Sequence, residues 1–430
     1  MTDTTASARP DDLAARRAAL ALLEAALSRR AGIDEAASSL KIQALEPRDR
    51  AFARALTLAA LRRLGVIDRL LAARLNREPP DRVRHILRLG VTQLFWMDTP
   101  DHAAVSTSVA LADGERATRP FKGLVNAVLR GLLRDGAPAD DPEALAPAWL
   151  MARWTSAWGP ESARAIAAQI AAEPATDLTA RDNGDLEVLA AELDAVLLPG
   201  GTLRVAQRGD PAAWPGFAEG RWWVQDAAAA VPARLLHLNA GQTALDLCAA
   251  PGGKTLQMAA AGAAVTAVDR SAERLKRVAE NLARMAVSAE VVAADAGDWA
   301  DARQFDAVLL DAPCSATGTF RRHPDVLWAA RPGDIAKLAA VQSRLLDSAA
   351  RRVVAGGVLV YCVCSLEPEE GEGQVSAFLA RNPDFSTDPV AEGEGGAPAA
   401  SRTAEGWLRL LPHQRDGGQD GFFVARLRRN

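Results

Sequence analysis

From residue 243 onward, short apolar runs alternate with amphipathic helical stretches, and this pattern limits the possible folds more than any other feature of the 430-residue chain. The runs are "TALDLCAA", "AAVTAVDR", "AEVVAADA", "FDAVLLDAPC" and "GGVLVYCVCS", with segments such as "SAERLKRVAENLARM" between them. Runs apolar on both faces and separated by helices indicate a parallel sheet covered on both sides. In such a sheet ligands sit beyond the carboxyl ends of the strands. The acidic and sulfur-bearing residues of the region, Asp269, Asp295, Asp311, Cys314 and Cys364, lie at those ends.

The front of the chain has a different period. Leu13, Leu20, Leu23 and Leu27 form one helical stripe, and Phe121, Leu124, Val125, Val128 and Leu132 form another. An all-α domain is expected over 1–138, ended by the Pro/Asp/Ala-rich stretch around "DGAPADDPEALAP". A small α+β connector is expected over 145–235, with strands at "ATDLTARDN" and "GTLRVAQ", and the α/β domain over 236–430. Basic residues outnumber acidic ones in the front third and the balance reverses afterwards, although the net charge is only -4. A basic front end suits docking to a polyanion, and equally an ordinary helical surface.

No apolar run approaches the roughly 18 residues of a membrane span. The start, "MTDTTASARPDD", lacks the basic and apolar regions of a secretory signal. Four cysteines cannot build a disulfide framework, so a reducing, cytoplasmic setting is expected.

"DLCAAPGGKT" closes the first strand and opens a helix. Its "GKT" suggests a phosphate loop, but Cys248 stands where that loop needs its first glycine, and no G-x-G-x-x-G is present. Asp269 ends the second strand, placed for ribose hydroxyls, and Asp295 ends the third, on the adenine side. A glycine-rich turn with these acids and no phosphate-binding glycines fits S-adenosylmethionine.

Cys362 and Cys364 stand only two apart, which disfavours a zinc knuckle. Their separation along a strand, about 6.6 Å, disfavours a disulfide. Core packing is the favoured reading for Cys362 and Cys248. "DAPCS" and "CVCS" end neighbouring parallel strands in a sheet of this class, bringing Asp311, Cys314 and Cys364 to one rim. A carboxyl group and thiols beside a methyl donor suggest methylation of cytosine C5, whose ring needs thiolate addition at C6 before C5 becomes nucleophilic. The thiol needs a lowered pKa, and the acid must reach the ring. Arg321, Arg322 and His323 are placed to meet flanking phosphates or to form a solvated loop. "RWW" at 221–223 reads as packing.

The motifs "VQDAAA", "DLCAAPGGKT", "VDRSAERLKRVAENLAR", "LDAPCSATGTFRRHPDVLW" and "LVYCVCSLEPEEGE" resemble those of the RNA cytosine-C5 methyltransferases of the NOL/NOP/Sun type. "DHAAVSTSVALAD" and "FKGLVNAVLRGLLR" are similar to a NusB-like RNA-binding domain. The resemblance implies an all-α NusB-like domain, the connector, and a Rossmann-like S-adenosylmethionine-dependent domain acting on small-subunit ribosomal RNA, without metal or membrane and as a monomer. It implies Cys364 as nucleophile, Cys314 assisting product release and Asp311 at the cytosine ring, with Lys254 near the catalytic centre. It further implies that Cys248, Ala249, Ala250, Pro251, Gly252, Gly253 and Lys254 wrap the methionine end of the cofactor, with Asp269 at the ribose, Asp295 near adenine and Asp311 at its border. The chain departs from the family at Val363, where a threonine is usual, which removes a hydroxyl beside Cys364. Another RNA, such as a tRNA, or a non-catalytic assembly role are the alternatives.

Overall fold

The computed structural model describes residues 10–29, 32–139 and 141–430. The chain forms two compact units. One takes the sequence up to Ala172 together with Arg322–Ala329; the other takes Glu173–Arg321 and Ala330–Asn430.

The first unit is helical among its described residues, and both leucine-rich stripes point inward. Leu20 and Leu23 of the helix Pro10–Leu27 and Val125, Val128 and Leu132 of the helix Lys122–Asp135 are buried in one apolar cluster. Two further helices, Ala148–Trp158 and Pro160–Ala171, also belong here. The expected connector therefore divides: its first part joins the helical unit and its strands join the other. The reason is local, because Arg62 Nη1 donates to the Ile170 carbonyl and Trp154, Ile166 and Ile170 are fully buried. Arg322–Ala329 also packs within this unit, where Trp328 Nε1 donates to the Leu61 carbonyl at 3.0 Å.

The second unit holds two sheets. Strands β1 (Thr176–Ala180), β2 (Ala195–Leu198), β3 (Thr202–Val205) and β4 (Trp222–Val224) form an antiparallel sheet in the order β2-β3-β1-β4. The larger sheet has β5 (Thr243–Leu247), β6 (Ala264–Asp269), β7 (Glu290–Ala293), β8 (Phe305–Asp311) and β9 (Val353–Val363). It is completed by β10 (Phe385–Thr387), β11 (Leu408–Leu410) and β12 (Phe422–Arg429). The order is β10-β12-β9-β8-β5-β6-β7, with β11 also on β12. The five strands read from the sequence pair in parallel, whereas β12 runs antiparallel to β9. The order reverses between β5 and β8, and a ligand crevice forms at such a reversal, beyond the carboxyl ends of the strands.

Burial on both faces explains the unbroken apolar runs. Leu359, Tyr361 and Val363 of β9 enter one apolar cluster with Leu345 and Leu346 of the helix Pro332–Ala350. Val360 and Cys362 enter the other. Among the described residues no helix is long and apolar enough to cross a membrane.

A buried ion pair joins the small sheet to the rest of its unit. Arg204 of β3 binds Asp177 of β1 through both oxygens, at 2.7 and 2.8 Å, and also donates to the carbonyls of Asp416 and Gly418. Asp177 in turn accepts the Ala227 amide at the start of the helix Ala227–Arg234. Removing one member of a buried pair leaves an uncompensated charge. Asp177→Ala should therefore cost about 3–5 kcal/mol in a urea unfolding titration, whereas replacing the exposed ion-pair residue Glu273 should cost well under 1 kcal/mol.

Candidate active site at the strand ends

The loop after β5 passes through a cis Ala250–Pro251 peptide and through left-handed backbone at Cys248 (φ 63) and Gly252 (φ 104). At Gly252 a Cβ would lie 3.2 Å from Val278, so glycine suits both the conformation and the space. Asp269 holds this loop to the end of β6. Its carboxylate accepts the Ala250 amide at 3.1 Å and the Ser271 amide at 2.9 Å, and it is 2% exposed. Asp295 is exposed; it accepts the Gly297 amide at 2.8 Å and faces Arg344 Nη2 at 3.4 Å.

Lys254 opens the following helix, Gly253–Ala260, and its Nζ binds Asp311 Oδ2 at 2.7 Å. Burial alone would lower the lysine, but the Asp311 charge outweighs it and holds the ammonium above its ordinary range. Lys254 is thus held as an ammonium paired with Asp311. Cys362 Sγ donates to the other oxygen of Asp311 at 3.5 Å, placing a buried thiol, a carboxylate and an ammonium in one chain of contacts.

The parallel register pairs Asp311 of β8 with Cys362 of β9. Beyond that pair the two chains run on side by side. The Ala312 amide donates to the Cys362 carbonyl and the Gly318 amide to the Cys364 carbonyl, both at 3.0 Å. The sulfurs of Cys314 and Cys364 lie 3.5 Å apart. The sequence expectation of two sulfurs meeting from separate segments is thus met in space. The contact with Cys364, and then burial, keep the Cys314 thiol well above its usual pKa. Cys362 is raised too, chiefly by burial, and burial with the nearby carboxylates pushes Cys248 up to about 12. All four cysteines are free thiols, and among the described residues no group of three His, Cys, Asp or Glu is arranged to hold a metal ion.

A hydroxyl at position 363 would lie on the strand face away from Cys362 and Cys364. Val363 is fully buried in the cluster with Tyr361 and Phe423, on the strand face opposite Cys362.

Similarity to known proteins matches this architecture. Residues 233–428 match the family described as 16S rRNA methyltransferase RsmB/F, and residues 13–134 match the NusB family. The chain is 38% identical over 437 residues to the ribosomal RNA small subunit methyltransferase B of Pseudomonas syringae pv. tomato, covering 96% of each. The chain belongs to the RsmB/F family of 16S rRNA methyltransferases. The Pseudomonas putida protein of the same description is 37% identical, covering 96% of this chain and 98% of that one. The solved structure of PH0851 superposes with a TM-score of 0.78 at 25% identity, covering 98% of this chain and 99% of that one.

The basic run Arg321, Arg322 and His323 of this RsmB/F chain behaves differently from the sequence expectation. Arg321, expected at an RNA phosphate or in a solvated loop, is 3% exposed and donates to the Gly417 carbonyl at 2.6 Å, with Asp226 at 3.8 Å. It braces the interior because its partners come from segments about a hundred residues away on either side. Arg322 and His323 lie in the stretch that packs with the helical unit, where His323 faces Asp34 at 3.6 Å. Trp222 and Trp223 are buried, as packing requires.

Glu370, which the linear reading passes over, is fully buried and accepts the hydroxyls of Ser315 and Ser365, the residues after Cys314 and Cys364. Its signal was present in "LEPEE", but nothing in that run separates the buried Glu370 from the exposed Glu369.

Asp246 carries a measurable signature. It is 1% exposed, accepts the Thr255 hydroxyl at 2.5 Å through Oδ2, and has no hydrogen-bond partner at Oδ1. Burial raises its pKa from 3.8 to about 7. A carboxyl group raised in the folded state holds its proton there while the unfolded chain has lost it. Stability therefore falls as pH rises between these two values and levels off above them. Asp246→Asn keeps an acceptor for Thr255 and should remove this slope. In urea titrations it should gain a few kcal/mol on wild type at pH 8 and little at pH 4.

Proposed function

We propose that this chain transfers a methyl group from S-adenosylmethionine to C5 of a cytosine in small-subunit ribosomal RNA, through a covalent bond between Cys364 and C6. The observation that carries the proposal is the sulfur pair, 3.5 Å apart at the rim that also holds Asp311 and Lys254.

The residues present fit the cofactor. The orphaned Oδ1 of buried Asp246 is an acceptor suited to an ammonium group or its water, and Asp295 is an exposed carboxylate at the end of the next strand but one. The loop Cys248–Lys254 lacks the glycine pattern that binds phosphates, and this cofactor has none. Asp269 fixes the shape of that loop through one backbone amide on each oxygen, and as the acid at the end of β6 it is the residue assigned to the ribose. When bound, the cofactor supplies an electrophilic methyl group.

The chain's own groups then divide the work. Cys364, partly buried, attacks C6 as the thiolate. Electron density moves through the ring toward N3 as the sulfur–carbon bond forms, and C5 becomes the nucleophile. Asp311 is the member of the ion pair that a base reaches, its side chain being 30% exposed against 10% for Lys254. It meets the ring at hydrogen-bond distance, while Lys254 fixes its orientation. Cys314 lies at sulfur contact with the attacking thiol. C5 then gives its proton to solvent water, its bond pair re-forms the C5–C6 double bond, the C6–sulfur bond breaks with its electron pair returning to Cys364, and the Cys314 thiol donates a hydrogen bond to the departing thiolate. The target base must leave its stack to reach this rim, at a cost of a few kcal/mol from a duplex and less from an unpaired loop. The NusB-family unit supplies a further docking surface for RNA.

Incubation with labelled S-adenosylmethionine and small-subunit RNA from cells lacking the gene should place label in 5-methylcytosine. Label in tRNA alone would reassign the substrate, and cofactor binding without any label would indicate an assembly factor. Cys364→Ala should abolish transfer. Cys314→Ala should accumulate a protein–RNA adduct that survives a denaturing gel; the adduct appearing in the first variant and not the second would reverse the roles of the two thiols.

A further inference from the structure

One carboxylate touches the chain beside both sulfurs. Glu370 Oε2 accepts the hydroxyls of Ser315 and Ser365, each at 2.5 Å. Its Oε1 accepts the Ser315 amide at 2.9 Å and Gln342 Nε2 at 3.1 Å. Ser315 directly follows Cys314 and Ser365 directly follows Cys364. The two serines approach each other at 3.1 Å, although they come from loops that leave different strands. Gln342 also donates to the Pro313 carbonyl at 2.9 Å, so Cys314 is bracketed on both sides.

We propose that Glu370 is a positioning residue for the thiol pair: by binding Ser315 and Ser365 at once, it holds Cys314 and Cys364 at sulfur contact. The inference rests on the two-thiol reading above.

Three physical points support it. A buried carboxylate is costly unless its lone pairs are filled. Here four neutral donors fill them, and hydrogen bonds to a charged acceptor are about twice as strong as neutral ones. The anchor is itself fixed, because Tyr361, fully buried on β9, donates its hydroxyl to the Glu370 carbonyl at 2.6 Å. The charge also matters, since the Glu370 carboxylate adds to what keeps the Cys314 thiol protonated, after the contact with Cys364 and burial. A glutamine has the same shape, but its single oxygen cannot replace two, and its amide would face donors.

The test uses the full chain with Glu370→Gln, Ser315→Ala and Ser365→Ala. Two readouts separate positioning from general damage. The first is steady-state methylation of small-subunit RNA, with cofactor binding measured by calorimetry. The second needs no RNA: phenylarsine oxide condenses with two neighbouring thiols, forming two As–S bonds and releasing one water, and peptide mapping shows which thiols it bridges. Wild type should form the Cys314–Cys364 bridge. In Glu370→Gln, kcat should fall about 100-fold, the scale of a 1 Å misplacement, while the KM for RNA and the cofactor affinity stay unchanged. The arsenical bridge should form far more slowly, and the two serine variants should show smaller losses of the same kind.

Wild-type kcat and undiminished bridging in Glu370→Gln would overturn the proposal. So would joint loss of cofactor binding and melting temperature in all three variants, which indicates a structural role only. If wild type bridges the arsenical but leaves cytosine unmethylated, the functional reading fails, and the arsenical comparison still decides whether Glu370 holds the sulfurs together.

Discussion

The pairing of β8 with β9 is the constraint from which the site follows. Parallel strands leave the sheet in the same direction, so the loops after them emerge side by side. With Asp311 opposite Cys362, the Pro-Cys loop and the end of the Cys-Val-Cys run continue as neighbours. The amides of Ala312 and Gly318 extend the ladder to the carbonyls of Cys362 and Cys364. The chain leading into β12 closes on the same loop, since a Cβ on Gly318 would lie 2.1 Å from the Gly421 carbonyl oxygen. A shift of one residue in this pairing would exchange the two faces of β9, sending Cys362 and Cys364 to the side now occupied by Tyr361 and Val363.

Polar groups buried around this frame make it specific. The ion pair of Lys254 and Asp311 ties the helix after β5 to the end of β8, across the reversal in strand order. Asp269 ties the same loop to the end of β6. On the far side, Arg409 Nη1 donates to the Ser365 carbonyl at 2.6 Å and pairs with Glu372, securing the chain that carries Cys364. Each contact joins segments far apart in sequence, so the rim is rigid only when the whole sheet has formed.

The sequence showed the sheet, its strand ends and the sulfur convergence, because those depend on local rules. Apolar runs such as "FDAVLLDAPC" mark a doubly covered strand, and chemistry at strand ends follows from the topology. What remained hidden depends on distant partners. The burial of Arg321 requires Asp226 and Gly417, and that of Glu370 requires two serines and a glutamine from separate segments. A surface charge and an interior one look alike in a linear reading. Strands β2 and β4 are short, with exposed Val196, Leu197 and Val224, so period-two alternation does not identify them. The antiparallel β12 lies in an arginine-rich tail, where residues 422–427 are buried, Arg426 pairs with Glu394, and Arg428 stays exposed beside Asp388.

Neither compact unit is a continuous piece of the gene. The helical one ends at Ala172 and then takes in eight residues, Arg322–Ala329, that come shortly after the loop carrying Cys314. A fragment stopping at Ala172 would lack the indole that meets the Leu61 carbonyl and the Asp325 carboxylate that meets the Ile33 amide. Recombination between relatives at the apparent border would therefore separate elements that have to be inherited together, and exchange of the front end alone carries a penalty that a linear map of the chain does not reveal.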